Sequence, residues 1–177
     1  MADNKILIKN AVNLDPNTDY DEKKDLLINN DLISEISDNI SDENVDKVID
    51  ATGKILLPGF INTHTHLSMT LFRGLADDLA LDEWLNDNIW PMEANLNGNY
   101  CYIGALLGAV ELIKSGTTTF SDMYFYMEDV AKAVEESGIR AVLSYGMIDF
   151  GDEEKRKAEI EENMTLFKNC QDRKSVV

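Results

Sequence analysis

The sequence predicts an α/β protein of 177 residues, in which a small β module precedes a longer series of alternating strands and helices. Residues 1–57 contain apolar runs of strand length separated by turn residues. Residues 58–177 alternate strand-like runs with stretches of helical length, which is typical of a parallel sheet covered by helices. The chain has two histidines, His64 and His66, and both follow the first strand of this second part.

The β module is predicted from short apolar segments. Lys5–Ile8 and Leu26–Ile28 have the length of strands. Asn29–Asp31 is a turn signal, so Leu32–Ile36 would return as the second arm of a hairpin. We expect one further strand at Lys47–Asp50, before the pattern changes.

The second part is predicted from a change in hydrophobic period. Apolar residues recur at helical spacing over about 98–114, and Gly116 follows where a glycine commonly ends a helix. Thr117–Phe120 is β-branched and therefore strand-like. The other predicted elements are a strand through Ile55–Ile61, helices near 82–95, 129–137 and 152–169, and strands at Ile139–Met147 and Lys174–Val177.

The composition excludes several kinds of partner. Thirty-three acidic residues against 16 basic ones give a net charge of −17 at pH 7. Such a field repels phosphate backbones and anionic lipids, so we expect neither nucleic acid nor membrane as a partner. The first residues lack the pattern of a signal peptide, and Cys101 and Cys170 have no paired spacing. These features favour a reduced, cytoplasmic protein.

The histidine pair is the main functional signal. Side chains two residues apart on a strand point to the same face, so His64 and His66 would lie side by side, within reach of one metal ion. Imidazole binds zinc, iron and similar divalent ions. A short His-x-His pattern also occurs as two solvent-facing polar residues. Here the apolar run at Pro58–Ile61 and the loop that follows favour a site at the carboxyl end of a parallel strand.

Five segments resemble the amidohydrolase superfamily. LLPGFINTHTHL (Leu56–Leu67) is similar to the first barrel strand of that family. MTLFRGLADD (Met69–Asp78) resembles the branch that deaminates S-adenosylhomocysteine, methylthioadenosine and 5′-deoxyadenosine. LDEWL (Leu81–Leu85), IWPME (Ile89–Glu93) and GTTTF (Gly116–Phe120) continue the likeness. The leading β module resembles the N-terminal contribution to the β-sandwich of this family.

The resemblance implies a fold and a reaction. Residues 58–177 would form a partial (β/α)8 TIM barrel, its first three or four β/α units, and residues 1–57 the N-terminal part of a β-sandwich module. His64 and His66 would be the first two ligands of one divalent metal ion, zinc in the first place and iron as the alternative. The metal would activate water for attack on C6 of an adenine ring, releasing ammonia and leaving the inosine analogue.

The resemblance also implies two substrate contacts. Glu93 would accept hydrogen bonds from the ribose hydroxyls, because a carboxylate can accept two from a vicinal diol. Trp84 would shape the pocket. Considered without the resemblance, Glu93 is a surface acid near a helix end and Trp84 a core aromatic. The whole protein would act on a small nucleoside, in the cytoplasm and as a homo-oligomer.

The metal site is expected to be incomplete within this chain. Complete sites of the branch add a third histidine, an aspartate and a proton-transferring glutamate, which we expect beyond Val177. No catalytic acid or base is therefore assigned here, and the chain is expected to be an inactive fragment. Two alternatives stay open. One is another amidohydrolase, of the guanine deaminase or triazine chlorohydrolase type, and the other is a non-catalytic remnant or one half of a split enzyme.

Overall fold

The computed structural model describes residues 4–13 and 22–171. Its contacts divide the chain into two compact units, Met1–Pro58 and Gly59–Val177. Strands form the first unit, and strands alternate with helices in the second. The predicted α/β class is therefore confirmed.

The first unit contains a five-stranded mixed sheet. Its strands are β1 (Lys5–Asn13), β2 (Lys23–Asn29), β3 (Leu32–Ser37), β4 (Lys47–Asp50) and β5 (Ile55–Leu56). β1 pairs antiparallel with β2 and parallel with β4 and β5. The predicted hairpin of β2 and β3 is confirmed, and Asn30 in its turn has a φ of 57°, a left-handed conformation that asparagine tolerates.

The second unit contains a parallel sheet of three strands in sequence order. These are β6 (Phe60–Thr65), β7 (Thr117–Tyr124) and β8 (Arg140–Tyr145). Parallel neighbours need a crossover between them, and helices supply it. The strand predicted at Lys174–Val177 lies outside the described residues. Among the residues that are described, no helix has both the length and the apolarity that a membrane span requires.

The helices of the second unit agree with the predicted positions. Their bounds are α1 (Leu81–Glu83), α2 (Trp90–Glu93), α3 (Gly98–Lys114), α4 (Met127–Ser137) and α5 (Glu153–Cys170). A 3-10 helix, Leu67–Phe72, follows β6 and was not predicted.

A π-helical segment, Trp84–Ile89, joins α1 to α2 and was also not predicted. Pro91 provides a physical reason for the wider turn. It has no N–H for the regular helical ladder, and its ring crowds the carbonyl of residue i−4.

Two glycines let α3 approach the 3-10 helix that follows the histidines. A Cβ on Gly104 would lie 2.6 Å from the backbone oxygen of Ser68, and one on Gly108 would lie 2.5 Å from a methyl carbon of Leu67. The Ser68 hydroxyl also donates a 2.9 Å hydrogen bond to the carbonyl of Cys101 on α3. The segment after the histidine pair is thus held directly against a long helix.

We expect Gly104→Ala to lower the free energy of unfolding by about 1–3 kcal/mol, because the added methyl group overpacks this contact. Helix propensity alone would predict an increase in the free energy of unfolding, since alanine is favoured over glycine by about 1 kcal/mol in a helix interior. Urea unfolding of both proteins tests this. Val110→Ala, at an exposed position of the same helix, is the control and should change stability by less than about 0.5–1 kcal/mol. An unchanged or increased free energy of unfolding for Gly104→Ala would contradict the close approach of α3 to the 3-10 helix.

Candidate active site

The two histidines lie together at the carboxyl end of β6. His64 is in the last part of the strand, and His66 directly precedes the 3-10 helix. Their ring centroids are 5.2 Å apart and the rings are inclined at 76°. This places two imidazoles side by side, as the alternation of side chains along a strand predicts.

The hydrogen bond of His66 leaves one ring nitrogen available. Its Nδ1 lies 2.7 Å from the backbone oxygen of Met123 on β7. A carbonyl can only accept, so Nδ1 carries the hydrogen and the neutral ring presents the lone pair of Nε2. A backbone carbonyl in this position is a common support for a metal-binding histidine. The donor chemistry of the pair therefore fits a divalent metal ion such as zinc.

The described residues do not by themselves form a metal site. Within residues 4–13 and 22–171 there is no group of three or more histidine, cysteine, aspartate or glutamate side chains placed to hold a metal ion. A catalytic zinc usually has three protein ligands. His64 and His66 thus supply two donors, and a complete site needs further ones.

A cavity of about 280 Å³ opens beside His66. Trp84 and Glu93, the two residues predicted to contact substrate, both line it, whereas His64 does not. The remaining wall is largely apolar and consists of Met69, Leu85, Ile89, Trp90, Met123, Tyr124, Phe125, Gly146 and Ile148. An apolar cavity with a few polar groups at defined positions is typical of a small-molecule site.

Glu93 is the acidic group of this cavity. It is half-buried at the end of α2, and its Oε1 accepts a 2.7 Å hydrogen bond from the hydroxyl of Tyr124. Burial raises the pKa of Glu93, while the Tyr124 hydrogen bond and the nearby His66 act in the opposite direction. In the described part of the chain no protein group donates a hydrogen bond to Oε2, so this oxygen can accept one from a ligand.

Asp122 is close to the histidines in the fold but does not line the cavity. Phe120, Asp122 and Tyr124 alternate along β7, and all three are buried. Asp122 Oδ1 accepts a 3.1 Å hydrogen bond from the backbone N–H of Leu67, while Oδ2 is buried with no hydrogen-bond partner among the described residues. Burial raises the pKa of Asp122 to about 6. Its hydrogen bond holds the chain directly after His66.

This raised pKa predicts a pH dependence of stability. The carboxyl of Asp122 binds its proton more tightly in the folded state than in the unfolded state. Protonation of Asp122 therefore stabilises the fold at low pH, and this stabilisation is lost as the pH rises through about 6. The loss between pH 4 and 7 should be on the order of 2–3 kcal/mol of unfolding free energy. Urea unfolding of the metal-free protein at several pH values measures it. In Asp122→Asn this part of the decrease in unfolding free energy with pH should disappear. An unchanged dependence on pH would show that Asp122 is not the group responsible.

Sequence reasoning missed Met123 and Tyr124. Both lie at the carboxyl end of β7, and a position at that end of a parallel strand is a general signal for site residues. Their partners could not be read from the sequence, because His66 and Glu93 lie 57 and 31 residues away along the chain.

Comparison with known proteins gives a consistent result. Residues 55–177 match the model of the amidohydrolase family. The chain is 77% identical over 170 residues to the 5′-deoxyadenosine deaminase of Methanobrevibacter smithii, covering 96% of this chain and 39% of that protein. It is 55% identical over 163 residues to the 5-methylthioadenosine/S-adenosylhomocysteine deaminase of Thermococcus sibiricus, covering 92% and 38%. The chain thus spans about 39% of the length of the curated relatives it matches.

Solved structures show the same fold. An adenosine deaminase from Xanthomonas campestris with bound zinc superposes with a TM-score of 0.82 at 27% identity, over 97% of this chain and 41% of that one. An atrazine chlorohydrolase from Arthrobacter aurescens, in complex with zinc, gives 0.81 at 21% identity, over 97% and 45%. The second likeness shows the fold alone.

Proposed function

The chain belongs to the amidohydrolase family, and from that premise we propose that the whole protein is a metal-dependent deaminase of adenosine-type nucleosides. The proposed substrates are 5′-deoxyadenosine, methylthioadenosine and S-adenosylhomocysteine, and the products are ammonia and the corresponding inosine analogue. The observation that supports this most is that His66, Trp84 and Glu93 line one cavity. The names of the relatives from Methanobrevibacter smithii and Thermococcus sibiricus support the substrate class.

His64 and His66 would hold the metal ion of this enzyme. The adjacent rings and the Nδ1 hydrogen bond of His66 suit a divalent ion, and the solved adenosine deaminase of Xanthomonas campestris, which contains zinc, favours zinc over iron. When bound, such an ion makes water nucleophilic near neutral pH. The proton-transferring glutamate and the remaining ligands would come from parts of the whole protein that this chain does not contain.

Glu93 and Trp84 would place the nucleoside. Oε2 of Glu93, which has no hydrogen-bond donor within residues 4–13 and 22–171, can accept hydrogen bonds from the ribose diol. The apolar wall that includes Trp84 suits the flat adenine ring. The adenine would then be held beside His66, where the reaction takes place. These residues would therefore bind and orient the substrate, and the metal site would act on it.

The finer architecture is part of the same proposal. Residues 58–177 would supply the first β/α units of a (β/α)8 barrel, and residues 1–57 the N-terminal part of its β-sandwich. The parallel order β6–β7–β8 supports the barrel, and the sheet of β1–β5 supports the second assignment. A homo-oligomeric state and a cytoplasmic location remain predictions.

The experiment is to purify the full-length protein, measure its metal content, and assay ammonia release from the nucleosides and guanine and chloride release from the triazine. The three adenosine derivatives should be substrates, while guanine and a chlorinated triazine should react at least about a hundredfold more slowly. Preference for guanine or the triazine would replace the proposal with another amidohydrolase activity. The absence of ammonia release from the three adenosine derivatives, with metal bound, would refute the proposed function.

A further inference from the structure

The last two residues of β7 contact both candidate functional groups of the cavity. The backbone oxygen of Met123 accepts the 2.7 Å hydrogen bond from His66, and the hydroxyl of the next residue, Tyr124, donates the 2.7 Å hydrogen bond to Glu93. The rings of Tyr124 and His66 have their centroids 6.1 Å apart. One strand end therefore connects the candidate metal ligand to the candidate ribose-binding carboxylate.

Tyr124 is a rigid anchor. Its side chain is 4% exposed, and its ring packs against that of Phe125 with centroids 5.1 Å apart. Burial and the neighbouring Glu93 raise the pKa of the Tyr124 phenol far above its usual range, so the hydroxyl keeps its proton and remains a donor at neutral pH. A fixed donor of this kind determines where the carboxylate oxygen it contacts can lie.

Glu93 depends on such an anchor because it is the last residue of its helical segment. α2 has four residues and follows the π-helical segment. The Glu93 side chain has several rotatable bonds, and ordering it on ligand binding costs about 1–2 kcal/mol when nothing holds it beforehand. The Tyr124 hydrogen bond occupies Oε1, orients the carboxylate and leaves Oε2 available to the cavity.

We propose that Tyr124 is a specificity-determining positioning residue: it holds the Glu93 carboxylate at a set distance from His66, so that a nucleoside anchored by its ribose diol presents its base to the metal site. This inference rests on the proposed function. Tyr124 contacts Glu93 rather than the reacting atoms, and acts through Glu93. The loss of its hydroxyl should therefore weaken binding of the diol while the chemical step is preserved.

The test uses the full-length protein and its Tyr124→Phe variant, each loaded with zinc and with its zinc content measured. Steady-state deamination is followed for 5′-deoxyadenosine and for the analogue that lacks the 2′-hydroxyl. For the variant we expect KM for 5′-deoxyadenosine to rise about tenfold and kcat to change less than about twofold. The preference for the diol over the deoxy analogue should fall by a similar factor. Tyr102→Phe, which removes a phenol that donates to Glu136 outside the cavity, is the matched control and should leave both values unchanged.

A double-mutant cycle with Glu93→Gln separates positioning from general destabilisation. If Tyr124 acts through Glu93, the two substitutions should be strongly non-additive in KM, whereas a purely structural effect would be additive and would lower the melting temperature. An unchanged preference for the diol in an active Tyr124→Phe enzyme, or additive effects, would overturn the inference alone. Failure of the unsubstituted protein to deaminate either nucleoside would overturn the proposed function and this inference with it.

Discussion

Replacing His66 by alanine in the full-length protein is expected to remove the bound zinc and to lower kcat/KM for 5′-deoxyadenosine by at least about a thousandfold. The Nε2 lone pair of His66 is oriented for a metal by the hydrogen bond from Nδ1 to Met123, and alanine provides no donor in its place. A bound ion would contribute several kcal/mol of transition-state stabilisation, and each 1.36 kcal/mol is about tenfold in rate. Metal analysis and the ammonia assay measure both effects on one preparation.

His64→Ala should give a similar loss, because the second ring lies 5.2 Å away at the same strand end. Thr63→Ala is the matched control: it is an exposed residue of the same strand, and its variant should keep zinc and activity within about twofold. Full zinc occupancy and normal turnover in both histidine variants would rule out this pair as the metal ligands.

Glu93→Ala is expected to lower kcat/KM for 5′-deoxyadenosine by about a hundredfold, mostly through KM. Two hydrogen bonds from a diol to a charged carboxylate contribute about 1.5–3 kcal/mol each, and part of this is replaced by water when the carboxylate is absent. Slow deamination of free adenine, which has no ribose, should change little. The comparison of the two substrates therefore isolates ribose binding from effects on the metal site.

Glu83→Ala provides the control for Glu93, since Glu83 is an exposed acid in the same helical region and does not line the cavity. It should leave KM within about twofold. An equal loss for nucleoside and free base in Glu93→Ala would assign the carboxylate to the reaction rather than to the sugar. No loss for either substrate would remove Glu93 from the site.

The elements of this fold were predictable where the signal is local. The run at Pro58–Ile61, the β-branched Thr117–Phe120 and the spacing of apolar residues in α3 each depend on neighbours within one turn or one strand. The same holds for the histidine pair, because the alternation of a strand alone brings the two rings together. These predictions need no knowledge of distant partners.

The hydrogen bonds that position the residues of the candidate site could not be predicted in the same way. The contact between Glu93 and Tyr124 and that between Asp122 and Leu67 join residues 31 and 55 apart along the chain. Secondary-structure propensity indicates which conformation a residue favours in its own segment. It does not indicate which group of another segment that residue contacts. Asp122 is buried beside Leu67 and does not line the cavity, and neither fact can be read from its own segment.

The π-helical segment determines on which sides of the helix axis Trp84 and Glu93 lie, the two residues proposed to contact substrate. Trp84 and Glu93 are nine residues apart, which in a regular α-helix is about two and a half turns and would put them on opposite sides of the axis. The wider i→i+5 turns over Trp84–Ile89 rotate the chain less per residue, so both side chains reach the same cavity. Regular α-helix over the same nine-residue spacing would thus separate them, whereas deletion of one residue would leave a spacing of eight, about 80° apart, and keep them on one side. The backbone geometry of this short segment, as well as its side chains, therefore determines which residues face the cavity.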